Sequence, residues 1–143
     1  MSSATIGTGA QSSGKGLRIA TWVVQGLLIL AFGMAGTVKS TQPLAALATQ
    51  MPWTTQVPGW LVRFIGISEL LGAIGLLLPA ATRILPVLTP IAASALVVVM
   101  VLAAGFHAMH GEPQMMAPSI VLGLLSAFVA WSRFTRARIE PRR

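Results

Sequence analysis

The sequence predicts an all-α integral membrane protein: a four-helix transmembrane bundle with a short interfacial helix after the first span. Three observations predict it. Only 9% of the residues are charged while 55% are hydrophobic, where soluble domains carry roughly 25% charged residues. The apolar residues are gathered into four long blocks, each near the roughly 20 residues that cross a hydrocarbon core about 30 Å thick. Most of the charges flank those blocks, and the mean hydropathy is +0.78.

Residues 1–16 are mostly Ser, Thr, Gly and Ala with a single Lys, too polar to span and too poor in apolar groups to pack, so a disordered tail is expected there. A membrane domain follows over residues 17–132, with spans at about 19–39, 60–78, 85–106 and 116–131. The first uncharged run exceeds the 7–15-residue core of a signal peptide and is read as a span. Between the first two spans, Leu44, Leu47, Ala48 and Met51 recur at helical spacing. That stretch is too short to cross, so an interfacial helix is expected. The second span is expected to stop at Pro79. Pro86 and Pro90 open the third, where a missing N–H costs least. Residues 133–143 form a basic C-terminal tail.

Orientation follows from the basic residues. Lys15, Arg18, Arg83, Arg133, Arg136, Arg138, Arg142 and Arg143 share one side of a four-span chain, against Lys39 and Arg63 on the other. Eight against two predicts a plasma or inner membrane protein with both termini in the cytoplasm. The formal charge of +7 lies beside apolar blocks. Anionic lipids at the basic tail are therefore the expected partner, and nucleic acid is not. The chain has no cysteine, so it supplies no thiol or iron–sulfur chemistry of its own.

Glu69 is the most informative residue. It lies nine residues inside Trp60, about 13 Å below the interface at 1.5 Å per residue. A carboxylate at that depth costs roughly 2.5–3.5 kcal/mol, so a partner is expected. Gly66, Gly72 and Gly75 lie on the same helix and Gly36 on the first, a small-residue pattern that admits close helix approach. The candidate cations are Lys39, at the end of the first span, and Arg63, one turn inside Trp60; Lys39 is favoured. His107 and His110, with Glu112 just beyond, have the spacing of half a metal site, a weak signal without a third histidine. Gln25 and Ser94 are polar groups inside spans and are expected to hydrogen-bond between helices. No phosphate loop, nucleophile elbow or zinc-protease motif occurs, so nothing specifies a self-sufficient enzyme.

The order Phe32-Gly33-x-x-Gly36-x-x-Lys39, Gly66-x-x-Glu69-Leu70-Leu71-Gly72-x-x-Gly75 and Leu78-Pro79, then Phe106-His107 and Gly111-Glu112-Pro113, resembles the DoxX-like family over roughly residues 17–135. The resemblance implies a small four-helix membrane protein. Some members are similar to subunits of thiosulfate:quinone oxidoreductase, and others associate with redox proteins or act in assembly. By position, Lys39, Glu69 and His107 match the family's polar residues. Ser119 stands near a position where the family often carries Asn.

Two functions are expected from these readings. In the first, the protein is a redox-associated subunit that binds a quinone or another lipophilic molecule near Glu69, with a membrane or cytoplasmic partner supplying electrons. In the second, it is a membrane subunit or assembly factor without turnover, in which Glu69 and Lys39 fix helix register. A proton-coupled transporter is a weaker third reading, since one buried acid in four spans calls for a homo-oligomer.

Overall fold

A computed structural model describes residues 8–143, with side chains from residue 14 onward. Five α-helices follow in order: α1 (Thr8–Thr41), α2 (Leu44–Gln50), α3 (Gly59–Thr82), α4 (Leu88–Met109) and α5 (Pro113–Thr135), with one 3-10 turn at Pro52–Thr55 after α2. Among the described residues, four helices are long and apolar enough to cross a membrane: Gly14–Thr41 of α1, then α3, α4 and α5. The expected all-α bundle is the observed one.

The four long helices close a ring in which α1 packs on α3, α3 on α4, α4 on α5 and α5 back on α1. The chain alternates direction at every span, so each neighbour pair is antiparallel. One end of the bundle carries α2 and the α4–α5 turn; the other carries the start of α1, the α3–α4 turn and the C-terminal tail. Leu28, Phe32, Leu76, Leu96 and Val129, each at most 1% exposed, fill the centre. The opposite faces display Leu30, Phe64, Leu71, Val101 and Leu124 openly. In lipid that is the favourable arrangement, because tails solvate apolar side chains and packing is left to shape.

Shape is set by glycine. A Cβ on Gly36 would lie 2.6 Å from the Leu70 nitrogen and 2.7 Å from the Gly66 oxygen, and one on Gly66 would lie 2.7 Å from the Lys39 Cβ. Backbone therefore meets backbone where α1 crosses α3. Gly72 and Gly75 serve a different neighbour: their faces receive Leu96 and Ala92 of α4. The small-residue stripe around Glu69 is thus divided between two helices.

Several boundaries differ from expectation. Residues 1–7 of the polar tail lie outside the described residues, but from Thr8 onward the stretch is helical. It contains no proline, so a helix nucleated in the span propagates back into it. Pro79 does not end α3; the helix runs three residues further, and Arg83 closes it in the left-handed conformation at φ 60°, its N–H bonded to the Pro79 carbonyl. So near the helix end proline removes one bond and its ring is buried. α4 begins at Leu88 rather than 85, because Leu85 has φ 46° and the residue before a proline avoids helix. α5 extends to Thr135, which takes Arg133 out of the tail and into the bundle.

Candidate functional site

The crossing of α1 over α3 decides the site. With Gly36 seated against the α3 backbone, the last full turn of α1 delivers Lys39 to Glu69. The Lys39 Nζ donates to both carboxylate oxygens, at 2.9 and 2.8 Å. The Glu69 side chain is 3% exposed and that of Lys39 11%, so the pair is shielded from lipid. Arg63 does not compete for the carboxylate. Its Nη1 donates to the Lys39 carbonyl at 2.8 Å, satisfying one of the acceptors that a helix C-terminus leaves open. Arg63 holds the end of α1, and Lys39 neutralises Glu69.

Beside this pair lies a cavity of about 470 Å³, walled by α1, α3, α4, α5 and the segment after α2. Phe32, Ile65, Met100 and Leu122 form its apolar lining; Lys39, Glu69, Ser68, His107 and Ser119 also line it. Trp53, from the 3-10 turn, closes the end toward α2. Its ring centroid is 5.8 Å from the Lys39 Nζ, and it meets Phe106 and His107 edge-on at 6.2 and 6.3 Å.

His107, just beyond the expected end of the third span at about residue 106, lies inside the last turn of α4 and is buried. Its Nδ1 is 2.8 Å from Glu112 Oε2, while Gln56 Nε2 donates to the other oxygen, Oε1, at 3.2 Å. Glu112 stands outside the spans. Its carboxyl is held below the ordinary value of 4.5, first by the hydrogen bond from His107 and further by that from Gln56. With Nδ1 so engaged, Nε2 is the ring nitrogen without a partner among the described residues. Ser119 is buried on α5, with a long 3.4 Å contact to its own helix at Met115 O.

His110 does not join this group. It is exposed, stacks on Phe106 at 4.0 Å and has Nδ1 2.8 Å from the Phe106 carbonyl. Among the described residues, no cluster of three or more His, Asp or Glu side chains converges. The two histidines thus turn to different partners at the end of α4. Ser94, expected to bond between helices, instead donates to Pro90 of its own helix at 2.8 Å. Gln25 does bridge helices: its Nε2 donates to the Leu76 carbonyl at 2.6 Å.

A model of the DoxX-like family matches residues 23–129, three quarters of the chain. The chain belongs to the DoxX-like family. No curated protein and no solved structure matches it. In this DoxX-like protein the matched stretch contains Lys39, Ser68, Glu69, His107 and Ser119 of the cavity lining. It ends before Arg133.

Two contributors to buried polar structure were not read from the sequence. The role of Trp53 as the cavity's end wall depends on the fold of the segment after α2. Arg133 looked like part of a solvated tail. It is 4% exposed and donates from Nε to Gln25 Oε1 at 2.9 Å. A lone Gln inside the first span was the signal for such a partner.

Proposed function

We propose that this DoxX-like protein holds a lipophilic small molecule with a carbonyl or hydroxyl head, a quinone being the chemistry that fits best, as the membrane subunit of a redox system. One observation carries the reading: an apolar cavity of about 470 Å³ whose polar groups include Lys39, Glu69 and His107. Small-molecule sites combine this size and apolar lining with a few convergent polar groups. Lys39 donates to a carbonyl oxygen, Glu69 accepts a proton from a hydroxyl, and His107 uses Nε2 while Glu112 fixes its ring. Ser119 adds a hydroxyl from the far wall. Because the chain has no cysteine, the electrons for quinone chemistry come from a partner protein. The basic excess beside both termini favours placing them in the cytoplasm and the protein in a plasma or inner membrane.

Titrating the purified protein with a short-chain ubiquinone or menaquinone analogue, read by tryptophan quenching, tests this. Ser119→Leu fills the cavity without touching the ion pair and is expected to weaken binding by about tenfold, the equivalent of roughly 1.4 kcal/mol. Glu69→Gln is expected to weaken it comparably. Equal affinity in wild type and both variants removes the quinone from the cavity.

A second reading rests on a separate observation. Both oxygens of Glu69 already accept from Lys39, so the pair is complete without a ligand and serves as a register lock between α1 and α3. In that case the protein is a non-catalytic subunit or assembly factor, and purification from native membranes yields a varied set of clients in place of one stoichiometric oxidoreductase.

A further inference from the structure

At the end of the bundle that carries the start of α1 and the C-terminal tail, the polar chemistry is of another kind. Gln25 on α1 reaches two helices at once, through Nε2 to Leu76 of α3 and through Oε1 from Arg133 of α5. The Thr21 and Ser132 hydroxyls bond to each other across the α1–α5 contact. Arg133 has its Nε on Gln25 and its Nη1 on the Ala137 carbonyl at 3.0 Å, and its Cζ lies 4.5 Å from the centre of the Trp22 ring. Its Nη2 is buried and has no partner among the described residues. A guanidinium in this setting is missing an acceptor.

Arg133 lines a second concavity, of about 420 Å³, together with Arg18, Arg83, Arg136 and Arg138. Glu140 also lines it, yet among the described residues it makes no ion pair. The chain's other carboxylates, Glu69 and Glu112, are engaged at the opposite end. Backbone carbonyls orient two of the arginines: Arg83 Nε donates to Glu140 O at 2.8 Å, and Arg138 Nε to Phe134 O at 2.6 Å. The C-terminal segment is pinned over α3 by the Arg142 N–H on the Arg83 carbonyl at 2.9 Å. Five guanidinium groups are thus brought into one pocket against a single carboxylate, an arrangement that self-repulsion disfavours until an anion enters.

We infer that this pocket binds a phosphate group, presented as the headgroup of an anionic phospholipid. Phosphate oxygens supply the acceptors that converging guanidiniums need, through charge-assisted bonds. The lipid source follows from position. Trp22 and Trp131 are exposed at this end, as an interfacial belt requires, and Ile19 and Val23 beside Arg18 stand 57% and 58% open. A headgroup seated against Arg133 leaves its acyl chains beside that apolar face of α1. The inference is independent of the cavity near Glu69.

Native mass spectrometry of the full-length protein in mild detergent, offered equimolar phosphatidylglycerol and phosphatidylcholine, tests it. Preferential retention of phosphatidylglycerol by about fivefold or more is expected, the scale of one juxtamembrane basic residue. The pair Arg18→Gln/Arg136→Gln, on exposed side chains that the bundle does not need for packing, is expected to abolish the preference. Arg142→Gln/Arg143→Gln, outside the pocket, is expected to preserve it. Equal loss in both pairs, or neither lipid preference nor phosphate retention in wild type, overturns the site. A parallel arm with sodium phosphate separates the sources. Phosphate retained with the same variant dependence, but no lipid preference, overturns the phospholipid occupant and leaves a soluble phosphate in its place. Arg133→Gln joins the series only if its circular dichroism matches wild type; retained preference in that folded variant also overturns the site.

Discussion

At the α2 end of the bundle a buried carboxylate meets a lysine, and the charges cancel within one contact. At the end that carries the C-terminal tail a buried guanidinium meets an amide, a carbonyl and an aromatic face, and its charge is left standing among four more of the same sign. The first arrangement is electrically closed and sits beside an apolar cavity; the second is open and sits beside a polar one. A neutral pair in low dielectric tolerates an apolar ligand as neighbour, whereas an uncancelled cluster calls for a counter-charge. The difference lies in whether a buried charge finds its counter-charge inside the bundle.

The largest expected effect lies in the closed pair. Lys39→Met strands the carboxylate of Glu69 and is expected to destabilise the bundle by about 3–5 kcal/mol, as for other broken buried pairs. Lys39→Met/Glu69→Leu removes both charges and is expected to recover most of that loss, as read by denaturant unfolding in detergent. A double variant no better than the single one would show that the pair does more than cancel charge.

Gln25→Leu probes the open end. It frees the Leu76 carbonyl and leaves the Arg133 Nε without its acceptor, so a cost of about 1–3 kcal/mol is expected in the same unfolding assay. A loss larger than that of Lys39→Met would reverse the comparison and make the basic end the stronger tie.

The smallest effect concerns Glu112. Its carboxyl is held below the ordinary 4.5 chiefly by the His107 hydrogen bond, so folding favours the ionised form. The contribution is therefore complete above the ordinary carboxylate range and is lost as pH falls through the lowered value. The stability difference between wild type and Glu112→Gln is expected to be constant near neutrality and to shrink in acid. A difference that grows on acidification contradicts the assigned bond.

Much of this was legible from the chain. The spans, the short helix after the first of them and the need of Glu69 for a cation follow from hydropathy, length and the cost of an acid in hydrocarbon. Pro79 misled because proline's penalty depends on where in a helix it falls, and only the observed end at Thr82 places it in the last turns. His107 and His110 lie three apart on one helix, but only the structure separates their partners: one turns to Glu112 and the other to a backbone carbonyl.

The sequence by itself determined that four apolar helices cross and that a single intramembrane acid needs a cation, because transfer free energy depends on residue type and run length alone. Tertiary structure decided which cation, which glycines face which helix, and that Arg133 belongs to the bundle. Those outcomes depend on backbone separations of a few ångströms at the crossings, and composition carries no record of them.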